Sequence, residues 1–523
     1  MNRIKSISGI KAKLHDLIFL FSSKRVSFNN FILFVILSVV TLCFNKLYAQ
    51  SLILEVKKST GVKLKSIGAE FDPHFFAQNL IRNDGSKSED WDNIIVKRVK
   101  DMNLQSFRVM VLPHWFEPVN DNDDPYVTTE VNFTFNSIEM ESLYKVLDLA
   151  EKENIDVTIV LWGASPSHFL GKGNYGDWMV AANDYNEWAE NFAALVKHLV
   201  LNKKYTCIKE ITPVNEPDWA FIGKGKVNGV GEYIKMCQIL DDRFKKEGLR
   251  KKIKFNLSDN SDGGVGAHYF LDSCSHKLSK AADIFNSHTY IFGYDTPNSD
   301  IIAWEKKNIE LAALCGKQHY IGEFGSNQCD GASRQKDIDL YERGVLMIRI
   351  ALNLLNAGAC GISYWGLLDQ YYSKNDDYKA MQQLGLWKYV KNEYNDEPYF
   401  DSISCDYEVR PQYYSYSLMT RFLLPKSEIY PIKTGYEFLA ASGFKLLNGK
   451  WVYVVANQED ESVDLKIVNH RDKIKGNYKV YNYSKDSYPN DGTQIEALQT
   501  IDCKNNSLRY FVPSNSVIFF CEY

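Results

Sequence analysis

From about residue 61 onward, short apolar runs alternate with longer stretches whose apolar positions recur every three or four residues. The short runs are Ser66–Phe71, Leu104–Leu112, Ile155–Trp162, Ile208–Asn215, Lys252–Ser258, Ile284–His288, His319–Glu323 and Gly361–Trp365, all of strand length and β-prone composition. The longer ones include Asn136–Asn154, where Ile138, Leu143, Val146, Leu147 and Leu149 fall near the helical period. Asp184–Leu201, Gly231–Glu247 and Asp337–Asn356 behave similarly. Strands that alternate with helices predict parallel pairing through crossover connections. Eight such alternations over residues 61–425 predict an α/β fold, a (β/α)8 TIM barrel with insertions. An open doubly wound sheet is the alternative, but no Gly-x-Gly-x-x-Gly or Walker sequence supports a nucleotide site.

After about residue 425 the pattern changes. Tyr436–Leu446, Lys450–Asn457, Ser462–Val468, Tyr478–Tyr483 and Val517–Cys521 are short β-like runs separated by Asn, Asp and Gly turns. They predict a C-terminal antiparallel β-sandwich over residues 426–523. The run Ser51–Val56, within residues 51–58, precedes the first barrel strand and is placed to cross over and join that sandwich.

The N-terminal pattern belongs to neither part. Lys24 and Arg25 precede an apolar stretch, Phe31–Phe44, which is short for a membrane span and is followed by a small residue, Ala49, suited to cleavage. Residues 1–49 therefore read as a signal peptide, and the mature chain is expected to be secreted, periplasmic or on the cell surface, with no stable membrane partner. Cys43 invites a lipid anchor, but Leu42 stands where a small residue is wanted. Ten cysteines, one of them Cys43, leave an odd number in the mature chain, with no close Cys-x-x-Cys pair and no His spacing suited to zinc. Cys207 and Cys360 read as packing residues, and Cys503 and Cys521 as a possible bridge between neighbouring strands. A net charge of −4 gives no reason to expect nucleic acid as a partner. The 32 Tyr and 10 Trp offer flat surfaces on which sugars could stack, although a large core accounts for most of them.

Two segments carry candidate chemistry. Ile211-Thr-Pro-Val-Asn-Glu-Pro-Asp-Trp219 and His319-Tyr-Ile-Gly-Glu-Phe-Gly-Ser326 each start as a strand and place a glutamate where the strand gives way to a loop. Pro217 cannot donate to a sheet ladder and so closes the first strand just after Glu216. Alone, Asn-Glu-Pro is a common tripeptide, and Gly-Glu-Phe-Gly is more often a turn with a solvated glutamate. The ordered framework raises their weight. In a barrel, active residues lie at the carboxyl ends of the strands. Those ends carry Glu70, Arg108, Trp162, Asn215-Glu216, Asp259, His288-Thr-Tyr290, Glu323 and Trp365. A plain core would not want so many polar and aromatic residues there. Two carboxyls on rigid strand ends suit hydrolysis of a glycosidic bond.

With Asn-Glu at the fourth strand, Glu at the seventh, Phe-Arg at the second, His-x-Tyr at the sixth and Trp at the eighth, the chain resembles clan A of the retaining glycoside hydrolases. The resemblance spans residues 61–425. The segment Arg410-Pro-Gln-Tyr-Tyr-Ser-Tyr-Ser-Leu followed by a sandwich looks like families 30 and 39, whereas Gly-Glu-Phe-Gly looks more like family 5. The resemblance implies Glu216 as general acid/base and Glu323 as nucleophile, with no metal or organic cofactor. It further implies that Arg108 and Tyr290 hold Glu323 charged, and that Asn215 meets the 2-hydroxyl of the reacting sugar. His288 would sit near the acid/base or the sugar, and Trp365 would form the floor. Trp162 joins these as a substrate-binding candidate, and Trp115, Trp178, Trp219 and Tyr294 are candidate extensions of the platform. The implied partner is a β-linked oligo- or polysaccharide. The alternatives are an inverting hydrolase, which needs a wider carboxyl gap, a non-catalytic carbohydrate-binding protein on the same scaffold, and a structural surface protein. The segments Pro113–Asn136, Ala164–Asn183, Trp219–Gly231 and Gly366–Asp401 are expected to shape the subsites.

Overall fold

Eight parallel strands close on themselves: β2 (Ile67–Glu70), β3 (Ser106–Val111), β4 (Asp156–Leu161), β5 (Ile208–Thr212), β6 (Lys254–Asn260), β7 (Ile284–Thr289), β8 (His319–Phe324) and β9 (Ile362–Tyr364). The barrel shuts where Ile67 of β2 pairs with Ile362 of β9. The computed structural model describes residues 51–73, 91–165, 167–171, 183–221, 226–261, 267–326, 337–371, 381–382, 384–388, 407–503 and 506–523. Residues 1–49, Trp178, and much of the segments 164–183 and 366–401 lie outside these. No helix among the described residues is long and apolar enough to cross a membrane.

The helices are α1 (Lys97–Met102), α2 (Ile138–Glu153), α3 (Tyr185–Lys197), α4 (Pro217–Ala220), α5 (Lys226–Lys246), α6 (Ala267–Lys277), α7 (Asn298–Ala313), α8 (Tyr341–Ala357) and α9 (Pro411–Phe422). Their starts follow from capping chemistry. The Ser137 hydroxyl accepts the Met140 N–H, and the Asp184 carboxylate accepts those of Asn186 and Glu187. Five of these helices, α1, α4, α6, α7 and α9, escape the helical-period reading. In α7 the buried polar residues Asn298, Glu305 and Asn308 occupy core-facing positions, which breaks the apolar stripe. Glu305 is kept there by His319 of β8, whose Nδ1 lies 2.6 Å from its carboxylate.

A short antiparallel pair, β10 (Gln370–Tyr371) and β11 (Met381–Gln382), follows the barrel, and the C-terminal strands form two sheets. β12 (Glu428–Ile432), β13 (Leu439–Lys445), β14 (Trp451–Asn457), β16 (Gly476–Tyr483), β17 (Gln499–Cys503) and β19 (Ser516–Glu522) make six strands in the order β12-β13-β14-β19-β16-β17. β1 (Leu52–Glu55), β15 (Val463–Val468) and β18 (Ser507–Val512) make the other, in the order β1-β15-β18. β14 is buried at every position, because both of its faces are covered. One face of the larger sheet meets the smaller one, where Tyr510 packs edge-on to Phe520. The other packs on α8 and α9: Asn356 bonds Ala441 O and Ser442, and Phe422 lies against Tyr481 and Phe519. At Gly344 a Cβ would collide with the Tyr483 hydroxyl, so glycine is what lets α8 approach β16. Through these contacts Ile53–Tyr523 form one compact unit.

The expected Cys503–Cys521 bridge is corrected here. Cys503 pairs with Gly476 on one side of β16, and Cys521 with Lys479 on the other. The two strands are therefore two places apart, about 9–10 Å at the usual strand spacing. That exceeds the roughly 7 Å Cα separation a disulfide tolerates. Both cysteines are free and buried, as are Cys207 and Cys360.

Candidate active site

The carboxyl ends of the strands converge on Arg108 at β3. Its guanidinium is buried and donates from Nη1 to Glu70 (2.9 Å) and Glu323 (2.6 Å), and from Nη2 to Asn215 Oδ1 (2.7 Å) and Asp259 (2.9 Å). One cation thus serves three carboxyl groups. His288, with no exposed surface, supplies the second positive centre. Its Nδ1 lies 2.9 Å from Glu216 Oε1 and 3.4 Å from Glu323 Oε2, and its Nε2 lies 3.2 Å from Asp259 Oδ1. Tyr290 donates its hydroxyl to Glu323 Oε2 at 2.7 Å.

Strict alternation would not have aimed all these side chains inward. Asn256 and Ser258 of β6 and Tyr320 and Gly322 of β8 fall at alternate positions, and Asn256, Tyr320 and Gly322 line the barrel interior. That phase would turn Asp259 and Glu323 outward. In each strand the register slips at that point: Ser258 pairs with Asn286 but Asn260 with Ser287, and Ile321 pairs with Ser287 but Glu323 with His288. These bulges re-aim Asp259 and Glu323 into the barrel mouth. Asp259 takes φ 49°, a left-handed conformation rare for a residue with a side chain. Glu216 does the same at φ 41°, just before Pro217 opens α4. Such strain is held only where the surroundings over-determine it.

The electrostatics follow from burial and shared charge. Burial pushes the Glu70 carboxyl up to about 8 against the pull of Arg108, with Glu323 and Asp259 adding repulsion. Burial also acts to raise Asp259, but Arg108 and His288 outweigh it and hold that carboxyl below its ordinary value. Burial disfavours the imidazolium of His288, yet Glu323 and Asp259 prevail and raise it well above the ordinary value. Glu323 itself is raised, by burial and then by Glu216 and Asp259, against the pull of His288 and Arg108. Arg108 and Tyr290 do donate to Glu323, but burial and the other carboxylates around the same guanidinium outweigh them in setting the direction of its shift. Burial and the Glu323 charge raise the Tyr290 phenol far up, so it remains a donor.

All eight candidate residues fall in the described part of this rim. Glu216, Asn215, His288, Tyr290, Glu323 and Arg108 form one hydrogen-bonded cluster. Trp162 stacks on Trp365 with centroids 5.5 Å apart, and the Arg108 guanidinium lies 5.4 Å from the Trp162 ring centre. Glu216 keeps 28% of its side-chain surface, whereas Glu323 keeps 6%, so one carboxyl meets solvent and the other is enclosed. The ligand atoms of Glu216, His288 and Glu323 all lie within 4.8 Å of one another. That spacing also admits a cation, but the oxygens already face the donors of His288, Tyr290 and Arg108. Glu70 and Asp259 were legible as strand-end residues, yet nothing in the sequence indicated that they share Arg108. Among the wider aromatic candidates, Trp115 is buried in the core and Trp219 is exposed. Tyr294 is partly buried against the core, with its carbonyl accepting from Gln458.

No protein-family model and no curated protein sequence matches the chain. Solved structures do. The catalytic domain of GH30 xylanase C from Talaromyces cellulolyticus matches with a TM-score of 0.61 at 12% identity, over 90% of this chain and 99% of the other. An endo-β-1,6-glucanase matches at 0.57 and 14% identity, over 90% and 94%. The GH51 arabinofuranosidase from Xanthomonas axonopodis pv. citri matches at 0.57 and 10% identity, over 90% and 98%. At such identities the likeness is one of fold.

Proposed function

We propose that the chain is an exported retaining glycosidase that cleaves β-linked oligo- or polysaccharides by double displacement. The observation that carries this reading is the pair Glu216 and Glu323 on one rim, bridged by His288, with carboxylate oxygens within 4.8 Å. A pair this close suits direct attack on the sugar, whereas inverting enzymes hold carboxyls about 6.5–9.5 Å apart to admit water. The fold shared with the xylanase, glucanase and arabinofuranosidase supports it.

In this mechanism Glu216, the carboxyl that meets solvent, protonates the leaving oxygen while Glu323 attacks the anomeric carbon. Water then enters, Glu216 takes its proton, and the bond to Glu323 breaks. Arg108 and Tyr290 fix one oxygen each of Glu323, so its attack geometry is set before the sugar arrives. Arg108 orients the Asn215 amide by donating to Oδ1, which leaves its NH2 to donate to the sugar 2-hydroxyl. The Trp162–Trp365 stack offers an apolar floor for the sugar face. Export rests on residues 1–49, and N-terminal sequencing of the exported form should begin near Gln50.

The test is stereochemical. Proton NMR in the first minutes of digestion of a β-glycan should show the β-anomer as the initial product. An initial α-anomer would establish inversion. Binding without cleavage across a glycan panel would establish the carbohydrate-binding reading instead.

A further inference from the structure

The loop that leaves β3 buries more oxygen than its own donors satisfy. Glu117 joins this loop to α3: one carboxylate oxygen accepts the Asp121 N–H at 3.2 Å, and the other accepts from the Asn191 amide nitrogen at 2.8 Å. Asn191 thereby turns its Oδ1 away from that carboxylate. Asp121 Oδ2 accepts from Asn122 at 2.9 Å and from the Thr129 N–H. Glu190, next to Asn191 on α3, keeps 1% of its surface, and Asp121 and Asn191 are buried as well. Yet among the described residues none donates a hydrogen bond to either oxygen of Glu190, to Asp121 Oδ1, to Asn191 Oδ1 or to Asn120 Oδ1. Arg243 of α5 comes within 3.8 Å of Glu190, but its N–H groups are directed to Pro125 O, Thr128 Oγ1 and Glu247. Buried carboxylates without donors are costly, and a core has no use for them.

The chemistry of these oxygens decides what they can bind. Two carboxylates match the charge of a divalent cation, and two amide carbonyls add neutral oxygens. A set of oxygens alone suits a hard cation rather than zinc or copper, which favour nitrogen and sulfur. Calcium takes about six to eight oxygens in loose geometry, whereas magnesium demands a near-ideal octahedron and holds its water. An irregular loop facing a helix offers the looser arrangement. We propose that Asp121, Glu190, Asn191 and Asn120 bind one calcium ion, with water completing its shell, and that the ion clamps the loop after β3 to α3. Glu117, Asp121 and Glu190 repel one another across this join, and the ion relieves that repulsion. Without it the buried carboxyls hold protons in its place. Among the described residues, the acid and histidine group drawn within 4.8 Å is that of Glu216, His288 and Glu323. At the loop, amide oxygens stand where further carboxylates would be. The clamp is independent of the glycosidase reading.

The test uses the mature protein, stripped with EGTA and dialysed into chelator-free buffer at pH 7. Calorimetric titration with calcium chloride should show one ion per chain, with a dissociation constant on the order of 10⁻⁴ M, the range of extracellular calcium modules. Saturating calcium should raise the melting temperature by a few degrees, because the ion binds the folded chain. Magnesium chloride should bind about tenfold more weakly or less. Glu190→Gln and Asp121→Asn keep the side-chain shapes and remove one charge each. Either should weaken calcium binding about tenfold or more, with circular dichroism unchanged. Glu323→Gln, in the other acidic group, should leave calcium binding as it is. No calcium binding by the stripped wild type, or wild-type affinity in both loop and helix variants, would overturn the site. Loss of binding in Glu323→Gln alone would place the ion at the catalytic rim and overturn it too. Magnesium binding as tight as calcium would overturn the choice of ion.

Discussion

Glu70 shares the Arg108 guanidinium with Glu323 and Asp259, and burial lifts its carboxyl to about 8. Near neutral pH it is therefore a neutral acid, and the cluster balances two cations, Arg108 and His288, against Asp259 and Glu323. Glutamine mimics that neutral state and still offers an oxygen to Arg108. Glu70→Gln should keep kcat/KM within about threefold at pH 6, since one neutral acceptor replaces another. A loss of a hundredfold or more would mean that Glu70 works as an anion. Arg108→Met leaves three carboxyl groups buried around an apolar chain, and should cost about 3–5 kcal/mol of stability by denaturant titration. These residues were visible in the sequence as polar groups at strand ends, where a core has no use for them. Their sharing of one guanidinium was not, because it depends on which side chains the closed barrel brings together.

Among the elements, the strands were legible and their irregularities were not. All eight barrel strands were anticipated within a few residues, since each is an apolar run bounded by turn residues. The slips at Asp259 and Gly322 leave no mark in that pattern, although they decide which way Asp259 and Glu323 point. Gly322 shows what the β8 bulge needs: a Cβ there would come within 2.6 Å of Asn286 Oδ1 and 3.1 Å of Asp259 Oδ1. Gly322→Ala should push β8 away from β7 and displace Glu323. The expected result is a fall in kcat of about a hundredfold, as for misplacements of about 1 Å, with the fold retained by circular dichroism. Unchanged kcat would show that the bulge does not set the nucleophile. In the sandwich, β17 went unread because its positions are mostly exposed and polar, as befits an edge strand.

For the whole molecule, barrel and sandwich could be told apart because helical spacing gives way to turn-punctuated short strands, but their shared packing on α8 and α9 could not be read. Buried acids beyond the catalytic rim also set how stability depends on pH. Burial raises Glu117 to about 8 and Glu190 to about 7. Unfolded, such carboxyls release their protons near 4.3, so over the interval up to about 8 the folded state binds more protons. Stability should then fall as pH rises from about 5 to 8. Melting temperatures across that range should decline, and Glu190→Gln should flatten the decline; a rise with pH would contradict this assignment. The central claim is the division of roles between Glu216 and Glu323, and azide rescue tests it most directly. Glu216→Ala, with activated aryl β-glycosides, should still form the glycosyl-enzyme, accumulate it, and regain turnover with azide to give a β-glycosyl azide. Glu323→Ala should trap no covalent sugar. A trapped sugar on Glu216 in the Glu323 variant, or wild-type activity in both, would contradict the account.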